Sequence, residues 1–192
     1  MGTRKLLRNA AEMQTAVDEM AGAIIREFGA SGELPEVALL GIYKEGVPLA
    51  RRLAAAIARH AGVELAVGTL DISMYRDDIG LRTALPVIRE TEIPFAVDNA
   101  QLILVDDVLS TGRTIRAALD AVTDYGRPAL IRLAVLVDRG GVEYPIRADY
   151  TGFELKVPDN RKVLVEFTEE DGADGIFEVG WRADAAAQIG KM

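Results

Sequence analysis

Two adjacent carboxylates, Asp106 and Asp107, stand directly after an uninterrupted apolar run at residues 102–105. Such a run is typical of a strand that is buried on both faces of a parallel sheet. Open α/β sheets bind their ligands at the carboxyl ends of the strands, so the acidic pair is expected at a ligand-binding edge. From Ile115 onward apolar residues recur at helical spacing, and a later Gly-Arg-Pro sequence predicts the helix end. The order is therefore strand, acidic pair, loop and helix.

The loop between this strand and this helix offers partners for two kinds of group. Backbone N–H groups at a helix N-terminus bind phosphate, and paired carboxylates accept hydrogen bonds from vicinal hydroxyls. Thr111 and Thr114 add hydroxyl donors, and Gly112 lets a ligand approach the backbone without meeting a Cβ atom. A ribose 5-phosphate carries both partners. The alternative is that the acidic pair belongs to a solvated loop and that Thr111 only caps the helix.

Two further helices are predicted from local spacing. The Asn9-x-x-Glu12 spacing is that of a capping box, and apolar residues follow at helical intervals until Gly29. Pro48 suits a first helical position, and a helix with one apolar face follows it to about residue 61. These helices supply apolar faces that can cover the sheet.

The other strands are predicted from apolar runs and from alternation. Buried strands are expected at residues 37–43 and 129–137, and an alternating strand is expected at residues 65–75. Residues 162–167 and 176–179 are expected to form two short strands, with a solvated acidic hairpin turn between them.

Composition limits the class of protein. A chain of 192 residues that is 49% hydrophobic can bury one good core, so a single domain over residues 1–192 is expected. Cysteine is absent, which excludes disulfides and thiolate metal clusters. His60 is the only histidine and lies near a predicted helix end, which argues against histidine metal clusters and Ser-His triads. His60 is expected at the surface. No Walker, G-x-G-x-x-G or G-x-S-x-G pattern occurs. No signal core and no apolar stretch of about 20 residues is found, which predicts a cytoplasmic protein.

Four blocks of sequence resemble one enzyme family. Residues 105–114 resemble the loop that binds phosphoribosyl pyrophosphate (PRPP) in type I phosphoribosyltransferases. Residues 71–78, 133–140 and 145–150 resemble the pyrimidine-operon attenuation regulators that are also uracil phosphoribosyltransferases, the PyrR family. The resemblance extends from about residue 10 to about residue 180, with the four blocks in the family's order.

The resemblance implies a fold, a reaction and a cofactor. The fold is α/β, a mostly parallel sheet flanked by helices, with a small cap from an arm and the C-terminal strands. The reaction joins uracil to PRPP and releases UMP and pyrophosphate. Mg²⁺ would bridge pyrophosphate and ribose oxygens and needs few direct protein ligands, which the sequence does not identify. A homodimer or higher homo-oligomer is also implied.

The resemblance assigns roles to residues around the acidic pair. Asp106 and Asp107 would bind the ribose hydroxyls, and the following loop would bind the 5-phosphate. That loop consists of Leu109, Ser110, Thr111, Gly112, Arg113 and Thr114. Val137, Asp138 and Arg139 would contribute to the uracil pocket. Purine-using relatives carry a carboxylate at the serine position of this loop, so the serine favours uracil or, alternatively, indicates weak catalysis.

The turn Lys44-Glu45-Gly46 stands where the family binds pyrophosphate, usually with Thr-Arg-Gly. Glu45 replaces the arginine, which removes a bidentate phosphate donor, while Lys44 keeps a positive charge and Gly46 keeps a permissive backbone. Glu45 would repel pyrophosphate unless it points away or meets a magnesium ion. The resemblance also assigns Arg76 to the pyrophosphate, in a polar arm at about residues 75–97 that closes over PRPP. The alternative is that these are ordinary turn or exposed loop residues. The Ala-rich tail from about residue 181 is expected to be loosely held.

Three function classes stay open: a uracil salvage enzyme, an RNA-binding regulator, and a phosphoribosyltransferase for another base. The formal charge of −8 argues against general binding of polyanions. Family members that bind RNA carry basic and hydroxyl side chains on the first helix and basic residues after the Asp-Arg-Gly block. This chain has instead, at those positions, Asp18, Glu19, Gly22, Glu27, Gly141, Val142 and Phe153, with only Arg147 retained. RNA binding is therefore doubtful, because phosphate contacts supply most of its affinity.

Overall fold

A computed structural model of the chain describes residues 4–29, 37–77 and 89–180. The elements follow in the order β1 Lys5–Asn9, α1 Ala10–Phe28, β2 Val37–Ile42, α2 Gly46–Ala61, β3 Ala66–Leu70, β4 Gln101–Leu109, α3 Arg113–Thr123, β5 Leu130–Asp138, β6 Tyr150–Glu154, β7 Arg161–Glu166, α4 Thr168–Asp171 and β8 Gly175–Gly180. No helix in these parts of the chain has both the length and the apolarity needed to cross a bilayer.

A five-stranded parallel sheet in the order β3-β2-β4-β5-β6 forms the centre of the fold. The apolar run of β4 serves both faces: Ile103 and Val105 pack into the core with α1 and α2, and Leu102 and Leu104 pack into the core with α3. All four side chains are fully buried. This burial explains why the run has no polar interruption, and the expected sheet flanked by helices is confirmed.

A second, antiparallel sheet has the order β1-β8-β7. β7 and β8 confirm the two predicted short strands within one residue at most ends. β1 was not predicted, because a five-residue strand gives little periodicity. Residues 78–88 of the expected arm lie outside the described residues, as does the predicted tail. What is described of the arm includes a bridge between Thr69 and Glu92 beside β3.

The predicted alternating strand at residues 65–75 is too long. β3 ends at Leu70 because the carboxylate of Asp71 accepts hydrogen bonds from the backbone N–H groups of Ser73 and Arg89, which turns the chain. A local side-chain bond to the backbone thus overrides the strand periodicity.

Several other predicted boundaries also change. α2 starts at Gly46, so Pro48 is its third residue. β4 continues to Leu109, so the acidic pair lies within the last part of the strand and not after it. β6 was not predicted, since its sequence Tyr-Thr-Gly-Phe-Glu has no apolar run. The capping box of α1 is confirmed: the Asn9 side chain accepts from the Glu12 N–H, and the Glu12 carboxylate accepts from the Asn9 N–H.

Arg52 on α2 binds the segment between β7 and β8 and so links the antiparallel sheet to α2. Its guanidinium donates to Glu169 at 2.8 and 2.5 Å and to Asp174 at 2.8 Å through two nitrogens. It also lies 4.8 Å from the ring centre of Phe167, which is fully buried. The acidic stretch around α4 joins the antiparallel pair β7 and β8 and is mostly exposed, as expected for a hairpin turn, but Arg52 from a distant helix binds two of its carboxylates.

Arg52 should control the acid sensitivity of the fold. Its hydrogen bonds lower the pKa of Asp174 to about 2. A depressed pKa gives stability that is present above the unfolded pKa and is lost as the pH falls towards about 2. Arg52→Met should lower Tm at pH 7 and flatten the loss of Tm between about pH 4 and pH 2. Thermal unfolding across this range tests the prediction, with the exposed neighbour Arg51→Met as control; an unchanged pH dependence in Arg52→Met would contradict it.

Candidate active site

The carboxyl ends of β2, β3 and β4 meet at a cavity of about 500 Å³. It is lined by Tyr43, Lys44, Glu45, Asp71, Ile72, Ser73, Arg76, Arg89, Asp106, Asp107, Val108 and Thr114. Half of these residues were predicted from the sequence: the acidic pair, Thr114, two residues of the turn after β2, and Arg76. The cavity lies where open parallel sheets bind their ligands.

The acidic pair forms the floor of this cavity. Asp106 is buried and Asp107 is half-buried, and Oδ1 of Asp106 accepts the N–H of Asp107 at 3.0 Å. Burial raises the pKa of Asp106 well above its ordinary value, the charge of Asp107 adds to this rise, and Arg76 opposes it. Burial also raises the pKa of Asp107. When such a pair carries a proton, it can both donate hydrogen bonds to a ligand and accept them.

Gly46 lets α2 begin directly against the acidic strand. A Cβ atom on Gly46 would lie 2.3 Å from the carbonyl oxygen of Val105 and 3.2 Å from Cα of Asp106. No real side chain tolerates a backbone atom at the first distance, so only glycine fits here. The sequence indicated a permissive turn residue at this position; the structure adds that the glycine sets the spacing between helix and strand.

Lys44 in the turn after β2 faces three carboxylates. Its Nζ lies 3.2 Å from Oε1 of Glu45, 3.5 Å from Oε2 of Glu170 and 3.7 Å from Oδ1 of Asp171. Burial lowers the pKa of Lys44, but these carboxylates outweigh it and the net pKa is raised. The lysine therefore stays charged and connects the turn to α4. The peptide bond between Tyr43 and Lys44 is cis.

Glu45 lies between this lysine and the acidic pair. Burial raises its pKa, Lys44 opposes the rise, and Asp171 and Asp107 add to it. Its Oε2 is buried and has no hydrogen-bond partner among the described residues. A buried carboxylate oxygen without a partner is costly, which makes this atom a candidate ligand-binding group.

The arm side of the cavity contains residues to which the sequence assigned no role. Asp71 is held by the N–H groups of Ser73 and Arg89; burial raises its pKa, but these bonds outweigh burial and the net pKa is lowered. The guanidinium of Arg89 lies 5.3 Å from the ring centre of Tyr43. The Asp-x-Ser spacing signals the turn at Asp71, but no local signal indicates that Arg89 returns to the cavity.

The predicted 5-phosphate loop lies beside the cavity, and only Thr114 of this loop lines it. Gly112 has a φ of 89° and is the N-cap residue of α3, but the Thr111 hydroxyl accepts the N–H of Arg113 at 3.4 Å, so the alternative in which Thr111 caps the helix is partly correct. The carbonyl of Thr111 accepts the N–H groups of Glu143 at 2.9 Å and Tyr144 at 3.2 Å. Arg113 binds the carboxylates of Asp77 and Glu143. The backbone at the start of α3 is therefore the part of the loop that could bind a phosphate.

The predicted uracil-pocket residues do not line the cavity. They lie on the neighbouring strand and in the turn after it, where Asp138 pairs with Leu109 and the Arg139 N–H donates to the Leu109 carbonyl at 3.0 Å. Val137 pairs with Val108, which does line the cavity. The loop and the predicted base-binding segment are thus direct neighbours.

The residues of the cavity fit a magnesium ion that arrives with a phosphorylated ligand. No group of three or more metal-binding side chains forms a cage in the parts of the chain that the structure describes. Mg²⁺ keeps several waters and is commonly bound by one or two carboxylates together with substrate phosphates. Asp106, Asp107 and the unpartnered oxygen of Glu45 offer such carboxylates.

Known proteins share both the sequence and the fold of this chain. The family described as phosphoribosyl transferase domain matches residues 4–171. A Chloroflexus aurantiacus protein named Bifunctional protein PyrR is 47% identical over 176 residues, 92% of this chain and 95% of that relative. A Deinococcus deserti protein of the same name is 49% identical over 168 residues, 87% of this chain and 90% of the relative. The crystal structure of the Trypanosoma cruzi hypoxanthine phosphoribosyltransferase has a TM-score of 0.70 at 19% identity, covering 92% of this chain and 96% of that one.

These comparisons carry different weights. The similarity to the trypanosomal enzyme shows a shared fold, and at that identity it shows nothing about the base. The matches over most of the chain show the family and confirm the resemblance that the four sequence blocks indicated. This chain belongs to the bifunctional PyrR family, within the phosphoribosyltransferases.

Proposed function

We propose that this protein is a uracil phosphoribosyltransferase that converts uracil and PRPP to UMP and pyrophosphate in the presence of Mg²⁺. The observation that carries the proposal is the buried acidic pair at the carboxyl end of β4, beside the start of α3. This is the arrangement that a ribose 5-phosphate requires. Membership of the PyrR family supports uracil as the base.

The proposed roles follow from the positions of the residues. Asp106 and Asp107 bind the two ribose hydroxyls, and the loop from Leu109 to Thr114 binds the 5-phosphate through its backbone. Lys44 and the neighbouring turn residues face the pyrophosphate. Val137, Asp138 and Arg139 form the base-binding side, which their pairing with the end of β4 supports.

The transfer is a dissociative displacement at ribose C1. The bond from C1 to the pyrophosphate oxygen breaks, the bond from C1 to a uracil nitrogen forms, and the proton on that nitrogen is released. Mg²⁺, when bound, neutralises charge on the departing pyrophosphate. The acidic pair holds the ribose through its hydroxyls while positive charge develops at C1. Ser110 offers no strong acid or base, in agreement with a base that needs none at this point.

Arg76 should contribute to PRPP binding. It lines the cavity, and its charge lowers the pKa of Asp106. Arg76→Ala should raise KM for PRPP about tenfold, the size of one lost charge-assisted hydrogen bond, and leave KM for uracil nearly unchanged. It should also move the acidic limb of the pH profile to higher pH. Steady-state kinetics test this, with Arg59→Ala, at the far end of α2, as control; an unchanged KM for PRPP would remove Arg76 from the site.

Product analysis tests the proposed reaction. Purified protein with uracil, PRPP and Mg²⁺ should form UMP and pyrophosphate in equal amounts, and excess EDTA should stop the reaction. Formation of pyrophosphate without UMP would contradict the proposal.

Regulation through RNA, the second function that the family implies, has less support from the surface of this chain. On α1, Asp18 binds Arg59 at 2.8 Å and lies 3.2 Å from His60. Glu27 binds Arg132 at 2.8 Å and accepts a hydrogen bond from the hydroxyl of Tyr150 at 2.5 Å. The charges of Asp18 and Glu27 on α1 are therefore partly compensated by cations from α2 and β5.

We still expect weak RNA binding, because these pairs use the cations that a phosphate backbone would need. A gel-shift titration with the chain's own pyrimidine-operon leader, with and without UMP at near-physiological salt, tests this. No submicromolar complex should form. UMP-enhanced submicromolar binding would overturn the expectation.

A cytoplasmic location and a homodimer or higher homo-oligomer complete the proposal; both follow from the sequence and the resemblance. Sedimentation of the purified protein tests the second.

A further inference from the structure

The turn after β2 is surrounded by an excess of negative charge, as a cation-binding site would be. Lys44 is the cation of the turn, and it faces the carboxylates of Glu45, Glu170 and Asp171 within 3.2 to 3.7 Å. The acidic pair lines the same cavity. An anion as highly charged as pyrophosphate is repelled by such a surface unless a metal ion accompanies it.

One carboxylate oxygen of Glu45 has a partner, and the other has none among the described residues. Oε1 lies 3.2 Å from Nζ of Lys44, whereas Oε2 is buried without a partner within the described parts of the chain. The side chain is only 17% exposed, so bulk water contributes little to its solvation. Because Glu170 and Asp171 also bind Lys44, the lysine fixes Oε1 and leaves Oε2 for a ligand.

We propose that Glu45 is a ligand, directly or through a water, of the magnesium ion that accompanies the pyrophosphate group. The turn then binds the metal complex of pyrophosphate, where Thr-Arg-Gly relatives bind the phosphate itself through an arginine. Carboxylate oxygens are the ligands that Mg²⁺ prefers. The inference rests on the proposed function, because it requires that pyrophosphate binds in this cavity.

Binding of pyrophosphate, measured by titration calorimetry with excess Mg²⁺ and again with EDTA, tests the proposal without any turnover. Glu45→Gln should weaken binding at least about tenfold with Mg²⁺, the effect expected for a lost metal-orienting group. The same variant should bind more tightly than wild type in EDTA, because a repulsive charge is gone. Glu45→Arg should bind pyrophosphate almost independently of the metal.

The opposite signs of the two effects distinguish the proposal from simpler roles. A Glu45→Gln variant that binds better under both conditions would make Glu45 merely repulsive, and one that binds worse under both would make it structural; either result overturns the inference. Glu64→Gln, an exposed residue just before β3 at the opposite end of the sheet, is the matched control and should leave both affinities unchanged. If wild type binds no pyrophosphate even with Mg²⁺, the proposed function itself fails.

Discussion

Replacing Asp106 and Asp107 together by asparagine should lower kcat/KM for PRPP by about 100-fold or more. Each replacement leaves a ribose hydroxyl without its carboxylate in a closed site, at a cost of about 1–3 kcal/mol. Each single variant should lose at least about tenfold, which corresponds to about 1.4 kcal/mol and lies within this range. Steady-state kinetics at saturating uracil measure kcat/KM for PRPP in the single and double variants.

The same variants should lose activity but should be at least as stable as wild type. Burial raises the pKa of both carboxyls, so the native state binds protons more tightly than the unfolded chain and loses stability as the pH rises above the unfolded pKa. Asparagine removes this penalty, and Tm at pH 7 should be equal to or higher than that of wild type. Asp120→Asn, on the exposed side of α3, serves as control. Wild-type turnover in the double variant would refute the ribose assignment.

Gly46→Ala should damage both stability and activity. Its Cβ would meet the Val105 carbonyl at 2.3 Å, so α2 has to move away from β4 at the acidic pair. Overpacking of this kind costs about 1–3 kcal/mol, which corresponds to a decrease in Tm of about 2–12 °C in a chain of this size. Activity should fall as well, because the displaced helix start carries the turn with Lys44 and Glu45.

Gly22→Ala is the matched control for Gly46→Ala. Gly22 lies within α1, where an added Cβ would meet only the flexible end of Arg26 at 3.4 Å. Alanine should stabilise that helix by about 0.5–1 kcal/mol. A Gly46→Ala protein with the Tm and activity of wild type would show that the helix and the strand are not in tight contact.

The elements that position the site could be predicted because each is determined by residues close together in the sequence. The apolar run of β4 is buried from both sides, and the capping box of α1 joins residues three positions apart. The acidic pair and the loop that follows are contiguous, so their chemistry was visible in one segment. The PyrR-like blocks added the reaction and the base.

Contacts between distant residues were not visible in the sequence. Arg52 binds Glu169 and Asp174, which are 117 and 122 positions away. Lys44 similarly meets Glu170 from α4, and the pairing partner of β1 is β8 at the other end of the chain. Nothing in the periodicity of either partner specifies the other. The cations that partly compensate Asp18 and Glu27 on α1 were not visible for the same reason, since they come from α2 and β5.

Competition among bases tests the central claim most directly. Uracil, hypoxanthine, guanine and orotate at equal concentration, with PRPP and Mg²⁺, should yield UMP in at least about tenfold excess over the three other nucleotides when the products are separated by chromatography. The double asparagine variant should form none of them at a comparable rate. A purine nucleotide or orotidylate as the main product would contradict the assignment of uracil as the base.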